Sequence, residues 1–152
     1  MALPNIFTPE VAQGVIDRIN KLIPATVPHW GKMNATQMLA HCNVPYEMVY
    51  ESIHPKPNAL MVWLISLMAK ETVVSEKPYP RNTRTAPAFL IKDERNFEKE
   101  KNRLIDYIKR TQQLGESHFD QKPSHSFGKL TITEWNNMFY KHLDHHLTQF
   151  GV

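Results

Sequence analysis

The sequence predicts an all-α fold, and three observations carry that expectation. Apolar residues recur at helical spacing in five separate stretches, and no stretch shows the strict apolar–polar alternation of a strand. Residues suited to capping stand at the starts of several of these stretches. The 11 prolines fall mostly between the periodic segments, where they read as punctuation. At 152 residues the chain is long enough to bury one core without disulfide or metal staples, so residues 1–152 are expected to form a single helical domain.

The first helix is expected from about Pro9 to Leu22. Thr8 suits the N-cap, Pro9 suits the first helical position, and Val11, Ile16, Ile19 and Leu22 supply an apolar side. Pro24 and Pro28 then mark a loop that holds Trp30. The second helix begins at Asn34, where Gln37 three residues on completes a variant capping box and Met33 and Met38 are placed as a staple. Its pattern continues toward Glu51 across Pro45. A proline there deletes the hydrogen bond to the His41 carbonyl, so a kink is expected beside His41.

A third helix spans roughly Asn58 to Thr72 and contains the dense apolar run Ala59 to Ala69. That run is too short for a bilayer and reads as a buried helix. Surplus hydrophobic surface for a homodimer is the other reading of it. A long loop from Val74 to Asp93 follows; such loops are often functional, and an ordered crossover between distant helices is the alternative. The fourth helix, about Glu94 to Gln112, sets Phe97, Leu104, Ile105 and Ile108 inward between charged neighbours. The last runs from about Ile132 to Gln149. Thr131 and Glu134 make a capping box, Leu130 and Trp135 a staple, and Gly151 a stop.

Composition excludes several classes. The formal net charge of +3 comes from bases interleaved with acids, as in Glu98-Lys99-Glu100-Lys101, which is a solvated helix face rather than a nucleic-acid surface. One cysteine, Cys42, allows neither an intrachain disulfide nor a multi-cysteine zinc site. The opening MALPNIFTPEV lacks a basic segment followed by an apolar one, so no signal peptide is expected. No membrane partner and a cytoplasmic location are expected.

Chemistry concentrates on the last helix. Trp135, Phe139, Leu143 and Phe150 define its apolar stripe, and His142 and His146 project into the middle of that stripe, about 40° apart. His145 lies toward the edge and Asp144 points to solvent. Imidazoles at i and i+4 have Cβ atoms ~6 Å apart, the spacing at which two rings grip one metal. Core histidines bonded to backbone or water fit the same pattern, because a buried imidazole needs partners of some kind. A metal site needs a third ligand, and His41, on the inward side of the second helix near Met38, Pro45 and Met48, is the best candidate. His29, His54, His118 and His125 sit in or beside loops, where solvated or turn-bonded histidine is usual. Cys42 points about 100° from His41 and reads as a core thiol.

The segments GKMNATQMLAHC (Gly31 to Cys42), RTAPAFLIKDERNFEKEKNRL (Arg84 to Leu104) and SHSFGKLTITEWNNMFYKHLDHHLTQFG (Ser124 to Gly151) together resemble the DinB/YfiT-like superfamily, and most closely a branch of unknown function. The resemblance implies a four-helix bundle, here with an additional helix and long crossover loops. It also implies a metal held by one histidine on the second helix, matching His41 in ATQMLAH, and by a pair on the last, matching His142 and His146 through the HHLTQ ending. Characterised relatives include transferases and isomerases that use low-molecular-weight thiols.

Three imidazoles leave coordination positions open, the arrangement of a catalytic rather than a closed structural site. The expected cofactor is therefore one divalent ion, with Zn, Ni, Fe and Mn all compatible. It would activate a thiol or water toward a small electrophilic substrate. A non-catalytic metal- or ligand-binding bundle, and a purely structural one, are the other readings. Glu47 and Asp144 are expected to face away from the ligands, so no general base is assigned. Gln149 lies near the ligand face as a supporting residue. Arg81 and Arg84 in the long loop are either substrate-carboxylate binders or solvated.

Overall fold

Thr8, Asn34, Asn58, Asn96 and Thr131 each accept a hydrogen bond from a backbone N–H three residues on, and each starts a helix. The caps at Asn34 and Thr131 are full capping boxes, with Gln37 and Glu134 bonding back to the cap backbone. The computed structural model describes residues 2–152. It is mostly helical: α1 is Pro9–Asn20, α2 Ala35–Tyr50, α3 Ala59–Ile65, α4 Glu71–Val74, α5 Phe97–Leu114, α6 Glu116–Phe119 and α7 Ile132–Gln149. A π-helical turn, Ser66–Lys70, joins α3 to α4, and a 3₁₀ turn at Pro87–Phe89 interrupts the long loop.

The packing of the four long helices closes on itself: α1 against α5, α5 against α2, α2 against α7, and α7 against α1. Their shared core is aromatic at its centre. Tyr46 stacks on Phe139 at 4.8 Å, Trp135 on Phe139 at 5.5 Å, and Phe119 meets Trp135 edge-on at 5.3 Å. Offset and edge-on pairs of this kind add to the stabilisation from area burial. Around them lie Ile6, Ile19, Leu22, Leu39, Leu104, Ile108 and Leu130, all fully buried.

One polar cluster sits inside the α2–α5 contact. Asn43 donates to the Glu100 carbonyl at 3.1 Å and to its carboxylate at 2.9 Å. Arg103 bonds Glu100 at 2.7 Å and Glu47 at 2.6 Å, and His54 meets Glu47 at 2.8 Å. Glu47 and Glu100 are only 5% and 2% exposed, so Arg103 is what makes their charges tolerable.

Three expectations from the sequence need correction. The fourth helix starts at Phe97, not Glu94, because Asn96 takes the cap and the carboxylates before it stay outside. A strand pair does form: β1 (Pro123–Ser124) and β2 (Gly128–Lys129) pair antiparallel, Pro123 opposite Lys129, where Gly128 turns at φ 69°. As the sequence indicates, α2 continues across Pro45 to Tyr50. The apolar third helix is not a buried one: Leu60, Met61, Trp63, Leu64, Leu67 and Met68 are all exposed. Among the described residues, no helix is long and apolar enough to cross a membrane.

Replacing Arg103 tests the polar cluster. Arg103→Leu removes the nearest cation of both buried carboxylates, leaving Glu100 to Arg95 at 3.5 Å and Glu47 to His54. It is expected to cost up to about 3–5 kcal/mol in urea denaturation. A loss under about 1 kcal/mol would show that Glu47 and Glu100 do not depend on it.

Candidate metal centre

α2 and α7 pack side by side, and this places His41 against two successive turns of α7. The rings of His41, His142 and His146 lie with centroids 4.5 to 4.9 Å apart. Their candidate ligand nitrogens all fall within 4.8 Å of one another. The His41 and His142 Nε2 atoms are 3.0 Å apart.

Partners behind the rings decide which nitrogens face inward. His41 Nδ1 is 2.9 Å from the Phe89 carbonyl, which only accepts, so Nδ1 carries the proton and Nε2 presents a lone pair. His146 Nδ1 is 2.8 Å from Gln149 Oε1. The orientation of that amide follows from its other end, since Gln149 Nε2 donates to the Trp30 carbonyl at 2.7 Å. His146 therefore also carries its proton on Nδ1 and turns Nε2 toward the cluster. With His41 Nε2 a lone pair, His142 Nε2 either donates to it or shares an ion with it.

The donor set fits a divalent metal. Ligand bonds of ~2.0–2.1 Å at tetrahedral to octahedral angles put neighbouring nitrogens ~3.0–3.4 Å apart. The His41–His142 pair already meets that spacing, and the whole set lies within 4.8 Å. Burial holds all three imidazoles neutral: it lowers the pKa of His41, takes that of His142 well below the usual range, and brings that of His146 to about 3. Neutral imidazole is the form that binds metals.

The supports come from three distant stretches of chain. His29 N donates to the Gln149 carbonyl at 2.8 Å, clipping the segment around Trp30 over the end of α7. Gly31 follows at φ 82°, and a Cβ there would sit 2.6 Å from Gln149 Nε2, so only glycine lets the amide reach its place. The long loop supplies Phe89, whose ring also packs against His41 and His142 at 5.4 and 6.0 Å. Tyr79 from the same loop stands edge-on to His142 at 6.4 Å and His145 at 5.6 Å.

Lys141 anchors that loop. Its ammonium donates to the carbonyls of Thr72 (2.8 Å), Lys77 (3.1 Å) and Ser75, and lies 4.7 Å from the Tyr79 ring centroid. Burial lowers its pKa to about 8. Beside His145 opens a cleft of about 200 Å³ lined by Trp30, Tyr79, Arg81, Lys141, Asp144 and Thr148 among others. The Arg81 guanidinium stacks 4.2 Å from the centre of the Trp30 ring.

Every residue singled out in the sequence can now be placed. His41, His142 and His146 come together, and Gln149 supports them as expected. Cys42 is buried in the core with its Sγ 3.6 Å from Met38 Sδ, and burial pushes its thiol pKa up. Glu47 belongs to the Arg103 cluster; Asp144 lines the cleft beside His145, where Arg18 binds it at 2.7 Å. Arg81 lines the cleft; Arg84 is exposed and does not line it. Sequence reasoning missed Phe89, Tyr79, Lys141 and His145. Only His145, beside a ligand in the HHLTQ phrase, carried a signal that could have raised it.

Two expectations follow from this geometry. Gly31→Ala touches no ligand, yet by displacing Gln149 it should weaken metal binding about 10–100-fold with the helical content unchanged; titration calorimetry against wild type decides it, and equal affinity would contradict the role given to Gln149. The second concerns pH. The folded chain refuses ring protons that the unfolded chain takes up below its usual histidine pKa of ~6.5. Stability of the metal-free protein is therefore full above that pH and declines as pH falls toward about 3. The slope is about 1.4 kcal/mol per unit for each ring held neutral. Urea midpoints that stay level between pH 7 and 5 would contradict it.

Residues 9–151 match the family described as "Protein of unknown function (DUF1569)". Neither the curated proteins nor the solved structures give a match. With nearly its whole length covered, ligand histidines and their supports included, the chain belongs to the DUF1569 family of proteins of unknown function.

Proposed function

We propose that this chain is a metal-dependent enzyme of the DinB/YfiT-like kind. In this reading it is a four-helix bundle with one divalent ion, Zn, Ni, Fe or Mn, between His41, His142 and His146. The ion serves to activate a low-molecular-weight thiol or water against a small electrophile. The observation that carries the reading is the convergence of three neutral imidazoles, two of them locked from behind so that Nε2 faces the centre. The closed packing of α1, α5, α2 and α7, and the ATQMLAH and HHLTQ phrases at the ligands, support the superfamily assignment.

When bound, the ion supplies Lewis acidity and a lowered pKa for the nucleophile it holds. The chain does the rest. Phe89 and Tyr79 shield the rings from bulk water. Arg81, held on Trp30 at the cleft, receives an anionic group of the thiol or the electrophile. His145 lines the same cleft with its ring 5.0 Å from that of His146, and takes the proton of the nucleophile as the new bond forms. A thiol is favoured over water: Glu47 is held by Arg103 and the cleft carboxylate, Asp144, by Arg18, so neither is a free base, and a thiol at pKa ~8.5 needs less help. That same lack of a free carboxylate favours, as a second reading, a bundle that binds metal without catalysis.

A screen of low-molecular-weight thiols against epoxide and halide acceptors, with each metal loaded, separates the two. The enzyme reading expects turnover that falls at least ~100-fold in His41→Ala through lost metal. It expects a similar fall in His145→Ala with the metal retained. Metal-loaded protein that turns over none of them leaves the non-catalytic reading.

A further inference from the structure

The helix from Ala59 to Val74 is built unlike the others. Leu60, Trp63, Leu64, Leu67 and Met68 fall at i, i+3, i+4, i+7 and i+8, the spacing of a buried stripe. Here the stripe is bare: Leu60 is 64% exposed, Trp63 58%, Leu67 68% and Met68 84%. The opposite side, with Val62, Ile65 and Ala69, is already half-buried against the chain. The stripe is also held rigidly. Lys70 pairs with Glu134 at 2.8 Å, Asn137 donates to the Val74 carbonyl at 2.8 Å, and Lys141 to that of Thr72, so the base of the helix is fastened to α7.

We infer that this stripe is a homodimer interface, formed by the same helix of a second copy of this chain packing against it about a two-fold axis. Two quantities on the molecule select that occupant. A 17.7 kDa monomer is expected to expose about 7,900 Å², whereas this chain exposes 8741 Å². This whole-chain excess of about 800 Å², to which the exposed 80–88 loop also contributes, is comparable with what each partner buries in a stable interface of standard size. The second quantity is charge: Asn58 to Ala69 contains no ionisable side chain, so two copies meet there without like-charge repulsion. A two-fold contact is self-complementary, and a stripe of Leu, Trp and Met satisfies that without a matching partner surface. A membrane surface fits less well, since an interfacial helix carries Lys and Arg along its polar side and this one turns Val62, Ile65 and Ala69 there.

The inference is independent of the metal, because none of the three histidines lies on this helix. Light scattering after size exclusion, on the full chain at ~5 to ~100 μM, reads it directly. The expected mass is twice 17.7 kDa for wild type and 17.7 kDa for Leu67→Glu/Met68→Glu, with the dimer dissociation constant raised at least ~100-fold. Both replaced side chains are exposed in one copy, so the variant is expected to keep the wild-type circular dichroism spectrum. Met68→Cys treated with a short bis-maleimide should cross-link into dimers, with Cys42 buried and silent. A monomeric wild type at ~100 μM, or a dimer that the double variant leaves intact, overturns the inference. So does a failure of Met68→Cys to cross-link.

Discussion

An imidazole taken out of water must have both its nitrogens accounted for, and here two are buried, with the half-buried His142 beside them. Phe89 and Gln149 satisfy the protonated side of His41 and His146 and so force the unprotonated side of each ring into one small space. Lone pairs pointed at one another repel; a proton on His142 Nε2 donated to His41 relieves one such contact, and a cation would satisfy all three rings. Much of the surrounding structure makes sense as support for that arrangement. The clip of His29 on α7, the glycine at position 31 and the caged Lys141 ammonium bear no charge to the centre, yet each fixes a group that orients or covers a ring.

Charge is distributed to match. The carboxylates nearest in sequence to the three histidines are both bound by arginines, Glu47 by Arg103 and Asp144, at the cleft, by Arg18. A centre of three neutral nitrogens keeps the full positive charge of whatever ion it holds, which favours an anionic nucleophile or substrate over a neutral one. Arg81 and His145 share one neighbouring cleft.

Much of this was legible in the sequence because the determinants are local. Capping boxes at Asn34 and Thr131 read correctly since a cap is decided within four residues, and the choice of His146 over His145 followed from helical periodicity alone. What could not be read depends on contacts between distant segments. The acceptor for His41 is a backbone carbonyl 48 positions away, a group that every residue carries and no pattern marks. The start of α5 slipped by three residues because Glu94 and Asn96 are both plausible openings, and only the cap bond to Lys99 decides. The exposed stripe at Leu60 to Met68 illustrates a different limit: apolar periodicity says that a face wants burial, not that this chain supplies the cover.

The account rests on the three histidines holding one ion, and metal content tests that most directly. Elemental mass spectrometry on protein purified without chelator or metal-binding tag should find about one equivalent of a divalent metal per chain in wild type. The His142→Ala/His146→Ala variant should have none. Wild type that holds no metal, even after reconstitution with Zn, Ni, Fe and Mn in turn, would contradict the account and leave three neutral imidazoles clustered for another reason.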